Sequence, residues 1–220
     1  AGGDTNKISA STTSFIGGGD RNIISGNSQH SGICAGQRNI LGEESRFSFL
    51  GGGQDNYLWY YSNHSVLGGG YRNKLWIGSE YSLLGGGYWN RVSSSTHSVL
   101  VGGEYNVISG DTPLRSHRNF IGGGYANYVV GNRASSIVGG EENYIYSGSN
   151  YSFIGGGERN IIYQQRSIPL SQNNTPYAIV VGGKGNYISG GTNNTIVGGL
   201  TNKIYGDSDL NRESNYGFIG

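Results

Sequence analysis

Aliphatic residues recur along this chain at fixed distances from an asparagine. Counting from Asn22 as position zero, aliphatic side chains stand at +2 (Ile24) and −6 (Ile16), Gly at −3 and Ser at −8. The same arrangement surrounds twelve asparagines: Asn6, Asn22, Asn39, Asn56, Asn73, Asn90, Asn106, Asn127, Asn143, Asn160, Asn186 and Asn202. Their spacings are 16, 17, 17, 17, 17, 16, 21, 16, 17, 26 and 16 residues. A fixed period of this size is the signature of a solenoid.

The columns of the repeat predict how each coil is built. Spacing by two puts −8, −6 and −4 on one face of a strand, and 0 and +2 on one face of another. Position −3 is Gly in all twelve repeats, and −4 is Gly in all but one, where Ala35 stands. Gly gives the turn between the strands a backbone free to adopt positive φ, and Asn gives it a side chain that bonds nearby backbone. Each repeat therefore reads as strand, tight turn, strand, loose turn. The predicted fold is all-β: a parallel β-solenoid of about twelve flattened two-strand coils of 16–17 residues. Stacking would align the asparagines into an amide ladder running from coil to coil.

One domain, residues 1–220, follows from the continuous period. Two insertions interrupt it, at 109–118 around Pro113 and at 163–177 around Pro169 and Pro176, both in the loose turn. Insertions in a solenoid collect at one edge because strands cannot absorb them. The chain starts and stops in mid-repeat, at Ala1 and Gly220. That leads us to expect either a segment of a longer fibre or end-to-end stacking of subunits into a filament.

The outward side of the first strand adds a further expectation. Position −7 carries Phe15, Phe49, Val66, Leu83, Val99, Phe120, Phe153 and Ile179, and position −5 carries Gly or Val in most coils. A strand apolar on both sides is the pattern of one buried on both sides. The −7 row is therefore a candidate oligomer interface, with small −5 residues allowing close approach of identical strands in a parallel homotrimer. The second strand presents Lys7, Lys74, Arg91 and Lys203 at +1, a solvated face.

Composition narrows the classes. The chain has 42 Gly, 13% charged residues, no Met and a net charge of +1, with acids and bases interspersed. That suits a fibrous coil and gives no electrostatic footprint for nucleic acid. No run is long and apolar enough to insert in a membrane. Cys34, the one cysteine, sits at −5 and reads as a small buried filler.

Catalytic chemistry finds little footing, and no cofactor or metal is expected. His30, His64 and His97 all occupy −9, where other coils place Phe47, Tyr81 or Tyr151, so an edge-packing ring is the plain reading. Glu43-Glu44 and Glu141-Glu142 fall in turns, and no helix or Lys-Ser/Thr follows Gly-Gly-Gly as a phosphate loop requires. A candidate binding site is instead an aromatic concentration comprising Trp59, Tyr71, Trp76, Tyr88 and Trp89. Trp59 and Trp76 share +3 and Tyr71 and Tyr88 share −2, so each pair should stack and could hold a glycan.

The motif of Ser48 to Asn56, with its Ser-Phe-Leu-Gly-Gly-Gly core, resembles the Gly/Asn-rich repeats of phage and large-virus tail-fibre proteins. More loosely it is similar to the head repeats of trimeric autotransporter adhesins, which are β-rolls of three chains. The resemblance spans essentially the whole chain and implies an extracellular structural fibre on a virion or cell surface. The repeat here is longer than in the adhesin heads and uses Gly-Gly-Gly where they favour alanine. The sequence thus suggests a non-enzymatic shaft or head segment supporting attachment. Its alternatives are a self-assembling extracellular filament, a glycan-binding adhesin module and, ranked last, an ice-binding solenoid.

Overall fold

The computed structural model describes residues 2–110, 116–146, 148–163, 177–205 and 216–220. They form a parallel β-solenoid with two twelve-stranded sheets. One sheet stacks the strands after each Asn, pairing Lys7 with Ile23 and Ile8 with Ile24 onward along the chain. The other stacks the strands before each glycine turn, pairing Ile16 with Ile33 and Ile33 with Leu50. A third line of single parallel bridges runs along position −2, from Asp4 through Tyr71 and Tyr88 to Leu200. The two-strand coil expected from the sequence thus carries an extra contact line at its tight turn. A short fourth pairing, Ser95–Thr96 with Ser116–His117, occurs where the repeat lengthens.

The interior is built from columns. Aliphatic residues at −6 and +2, such as Leu50, Leu67, Leu58 and Leu75, are fully buried. Beside them run buried polar columns, which must be hydrogen-bonded to be tolerated there. Asn56 shows how. Its backbone N–H donates to Asn39 Oδ1 at 3.1 Å, and its own Nδ2 donates to Gly52 O at 3.0 Å and Gly70 O at 2.8 Å. The amide ladder expected from the sequence is therefore present, and each rung bonds the coils on both sides. Serines at −8 form a second ladder: Ser48 N–H donates to Ser31 Oγ, and Ser48 Oγ donates to Ser62 O at 2.9 Å. A third, through Ser28, Ser45 and Ser62, follows the loose turn.

The glycine at −3 is explained by this ladder. A Cβ on Gly53 would lie 2.1 Å from Gly70 O and 2.8 Å from Asn56 Nδ2, and its φ is +81°. Any side chain there would displace the asparagine amide and the next coil together. Glycine at −5 has a similar cause: a Cβ on Gly51 or Gly68 would meet the next coil's carbonyl oxygen at 2.2 or 2.1 Å. Cys34, Val101, Val138, Val181 and Val197 hold a Cβ at the same position in other coils, so the close approach is local to the glycine coils.

Two further columns adopt left-handed backbone with ordinary side chains. Arg38, Asp55, Arg72 and Trp89 at −1, and His30, Phe47, His64 and Tyr81 at −9, all have φ of 54–55°. Such a conformation costs about 1–2 kcal/mol for an L-residue. It turns each N–H back toward the preceding coil, as in Asp55 N–H to Gln37 O at 3.0 Å and His64 N–H to Arg46 O at 2.9 Å. Every coil boundary is thereby bonded at its corners as well as along its strands.

Residues 111–115 and 164–176, including all three prolines, lie outside the described residues. Across the insertions the rungs pair without a break: Leu100 with Ile121, and Ile154 with Val180. Cys34 differs from expectation. It is exposed, because outward −5 side chains have no partner layer in a single chain.

Candidate functional site

The aromatic concentration comes together on the second-strand side of the solenoid. Alternation along the strand sends +1 and +3 outward, so Tyr57, Trp59, Lys74 and Trp76 share one surface over two adjacent coils. Trp59 and Trp76 stack with centroids 6.3 Å apart at 25°, and Tyr60 approaches Trp76 at 5.7 Å. Tyr71 and Tyr88 stack at 5.3 Å and 17° beside the −2 bridge line. Trp89 projects from the left-handed −1 corner between these two groups.

Two cations that the sequence reading left out of the patch, Lys74 being read there as part of a solvated face, join the groups. The Arg72 guanidinium carbon lies 4.9 Å from the Tyr71 ring centre and 5.1 Å from that of Trp89. Lys74 Nζ sits 5.6 Å from Tyr57, 5.6 Å from Trp76 and 6.0 Å from Trp89. Cations over ring faces at these distances are attracted by the ring quadrupole. All five residues of the predicted patch thus belong to one surface, tied together by Arg72 and Lys74. Position −1 could have revealed Arg72, since it shares that column with Trp89.

Tyr105 and Tyr125 extend the surface. Tyr105 meets Tyr88 edge-on at 85° and Tyr125 at 84°, with centroids 5.7 and 5.9 Å away. Loss of hydration among these rings, with Tyr88 adding to it, pushes the Tyr105 phenol up from its ordinary value. It stays protonated and able to donate. Chemically the patch offers apolar rings, phenol hydroxyls and two fixed cations. That set suits stacking on, and hydrogen bonding to, a hydroxyl-rich or carboxylated molecule.

The −7 row forms a separate surface on the first-strand side. Phe15, Phe49, Val66, Leu83, Phe153 and Ile179 are exposed, from 36% at Phe153 to 52% at Phe15, and Val99 and Phe120 are half-buried. Along the same edge His30, Phe47, His64, Tyr81 and His97 stack in one column, centroids 4.9–5.0 Å apart. The rings between the histidines fill the gap that separates imidazoles two coils apart, as edge packing requires. Among the described residues no three His, Cys, Asp or Glu side chains converge as metal ligands.

Comparison with protein-family models and with curated proteins finds no match to this chain.

Proposed function

We propose that the chain is a non-enzymatic structural segment of an extracellular fibre, on a virion or cell surface, holding an attachment element away from the body. The supporting observation is the interior: two sheets of twelve rungs each, bonded by asparagine and serine ladders at almost every coil boundary. Such a stack is stiff along its axis and repeats one contact, as a spacer should. Eleven steps of ~4.8 Å give a rod of about 53 Å for this segment. Immunogold imaging of the source particle tests the reading. Label along a tail or surface appendage is the expected result, and label confined to the cell interior would overturn it.

A second reading, a glycan-binding module, draws on the joined aromatic and cationic surface. Against it, Trp59 stacks on Trp76 and Arg72 lies over Tyr71 and Trp89, so part of the ring area is already used within the chain. A glycan array separates the two readings. A signal abolished by Trp59→Ala with Trp76→Ala would assign binding to the patch, and equal signals for variant and wild type would leave the structural role alone.

A further inference from the structure

The outward face of the first-strand sheet is levelled. Every Phe at −7, namely Phe15, Phe49, Phe120, Phe153 and Phe218, stands in a coil whose −5 is Gly. Where −5 is Val, in Val101, Val138, Val181 and Val197, the −7 residue is Val99, Ser136, Ile179 or Thr195, never Phe. The structure gives the reason. The Phe120 ring comes within 3.3 Å of the place a Cβ on Gly122 would occupy, and Phe153 does the same over Gly155. In these coils the Phe leans over its own glycine and takes the volume that valine fills elsewhere. The coil with Gly32 at −7 is covered by the ring of Phe15, which reaches across from the coil before.

The result is a levelled, uncharged strip running the length of the twelve rungs, apolar at −7 and −5 but for Ser136 and Thr195. No residue at −7 or −5 is charged in any repeat, whereas the opposite side carries Arg72, Lys74, Arg91 and Glu104. Val101, Val138 and Val181 are about half exposed, at 50, 48 and 49%. A continuous uncharged strip of this kind is a recognition surface, since parallel sheets are normally covered on both faces.

We propose that this face packs against the same face of a second copy of the chain, sheet against sheet. The period selects that occupant. A partner must present one rung per coil step to fill every rung of the strip, and another copy does so by construction. Flatness selects the geometry: two level sheets meet face to face about 10 Å apart across a twofold axis. A three-chain arrangement about a central axis would bring only one edge of each strip to the centre. From −7 to −5 the strip is about 53 Å long and ~10 Å wide, roughly 530 Å² per chain, so that a pair just clears the ~1,000 Å² total of a specific interface. The proposal is independent of the fibre reading, since a pair can form whether or not it belongs to an appendage.

The test is mass in solution over a wide concentration range, with Leu83→Lys plus Val138→Lys as the variant. Both side chains are outward and exposed in a single chain, so the variant should keep its β-sheet circular dichroism. Wild type is expected to sediment as two chains and the variant as one. Val107→Lys, on the second-strand side, should leave the pair intact. The exposed Cys34 thiol, at −5 on the strip, gives a second measurement on wild type alone. Its maleimide labelling should be about tenfold slower at high protein concentration than at high dilution, as mass action on a pair requires. Wild type sedimenting as one chain throughout, a mass of three chains, or labelling independent of concentration would each overturn the proposal.

Discussion

The two outer sides of the solenoid rest on one interior but differ sharply. On the first-strand side, −7 and −5 hold no charge and trade volume so that the surface stays level. On the second-strand side, +1, −1 and −2 mix Lys, Arg, Asp, Glu, Tyr and Trp, and neighbours bond one another in pairs. Arg38 binds Asp55 at 2.8 Å and Lys74 lies among three rings. Columns facing inward are fixed by the ladders. Columns facing outward are freer to vary, and the proposed pairing rests on the regularity that persists there. The level strip shows such regularity, and the paired charges of the other side show ordinary solvated packing.

The comparison is broken most completely by removing the interior that both sides share. Gly70→Ala places a Cβ 2.2 Å from Gly87 O at a φ of +86°, so both sides should be lost together. Soluble expression with no cooperative melting transition is the expected outcome, and a native melt would show that the coil boundary can open. Asn73→Ala is milder. It removes the buried acceptor for Asn90 N–H and the donor to Gly69 O and Gly87 O, which should cost about 3 kcal/mol in urea denaturation.

Levelling can be probed next. Ile179→Phe alone crowds Val181 and should cost about 1–3 kcal/mol from overpacking. Adding Val181→Gly should recover most of that loss, a coupling that a double-mutant cycle would read directly. Additive losses would mean that the exchange of volume between −7 and −5 has no energetic content. The smallest effect is on the charged side. The hydrogen bond from Lys184, at 2.8 Å, holds the Glu158 carboxyl below its ordinary value, with the Lys184 and Arg159 charges adding to it. A lowered folded-state value means a contribution present above the usual carboxylate range and lost as pH falls through the lowered one. Lys184→Met should raise the Glu158 midpoint in an NMR titration while barely moving the melting temperature, because the pair is exposed.

Much of this architecture is legible in the residues, since a period of 16–17 with Gly at −3 and Asn at 0 has few physical solutions. The asparagine ladder follows from alignment alone. The left-handed corners do not, because Arg38, Trp89, Phe47 and Tyr81 carry none of the usual marks of positive φ; stacking imposes it on them. The serine column through Ser28, Ser45 and Ser62 hides in stretches that read as polar loop. Cys34 reads as a buried filler because its column otherwise holds Gly or Val, and one chain covers only the inner side of that strand. In the aromatic surface, pairs sharing a column were readable, while the bridging by Arg72 and Lys74 depends on side-chain reach between columns.

The asparagine ladder also bears on how such a gene can change. Each rung gives its N–H to the asparagine before it and its Oδ1 to the N–H of the asparagine after it, as every other rung does, so a coil has no address of its own. Duplicating one whole repeat by unequal recombination adds a rung that its neighbours accept without adjustment. Gaining or losing part of a repeat throws every later amide out of line unless the surplus leaves through the loose turn. A change of length by whole coils therefore leaves the kind of every internal contact unaltered, whereas any other change must be absorbed at the loose turn.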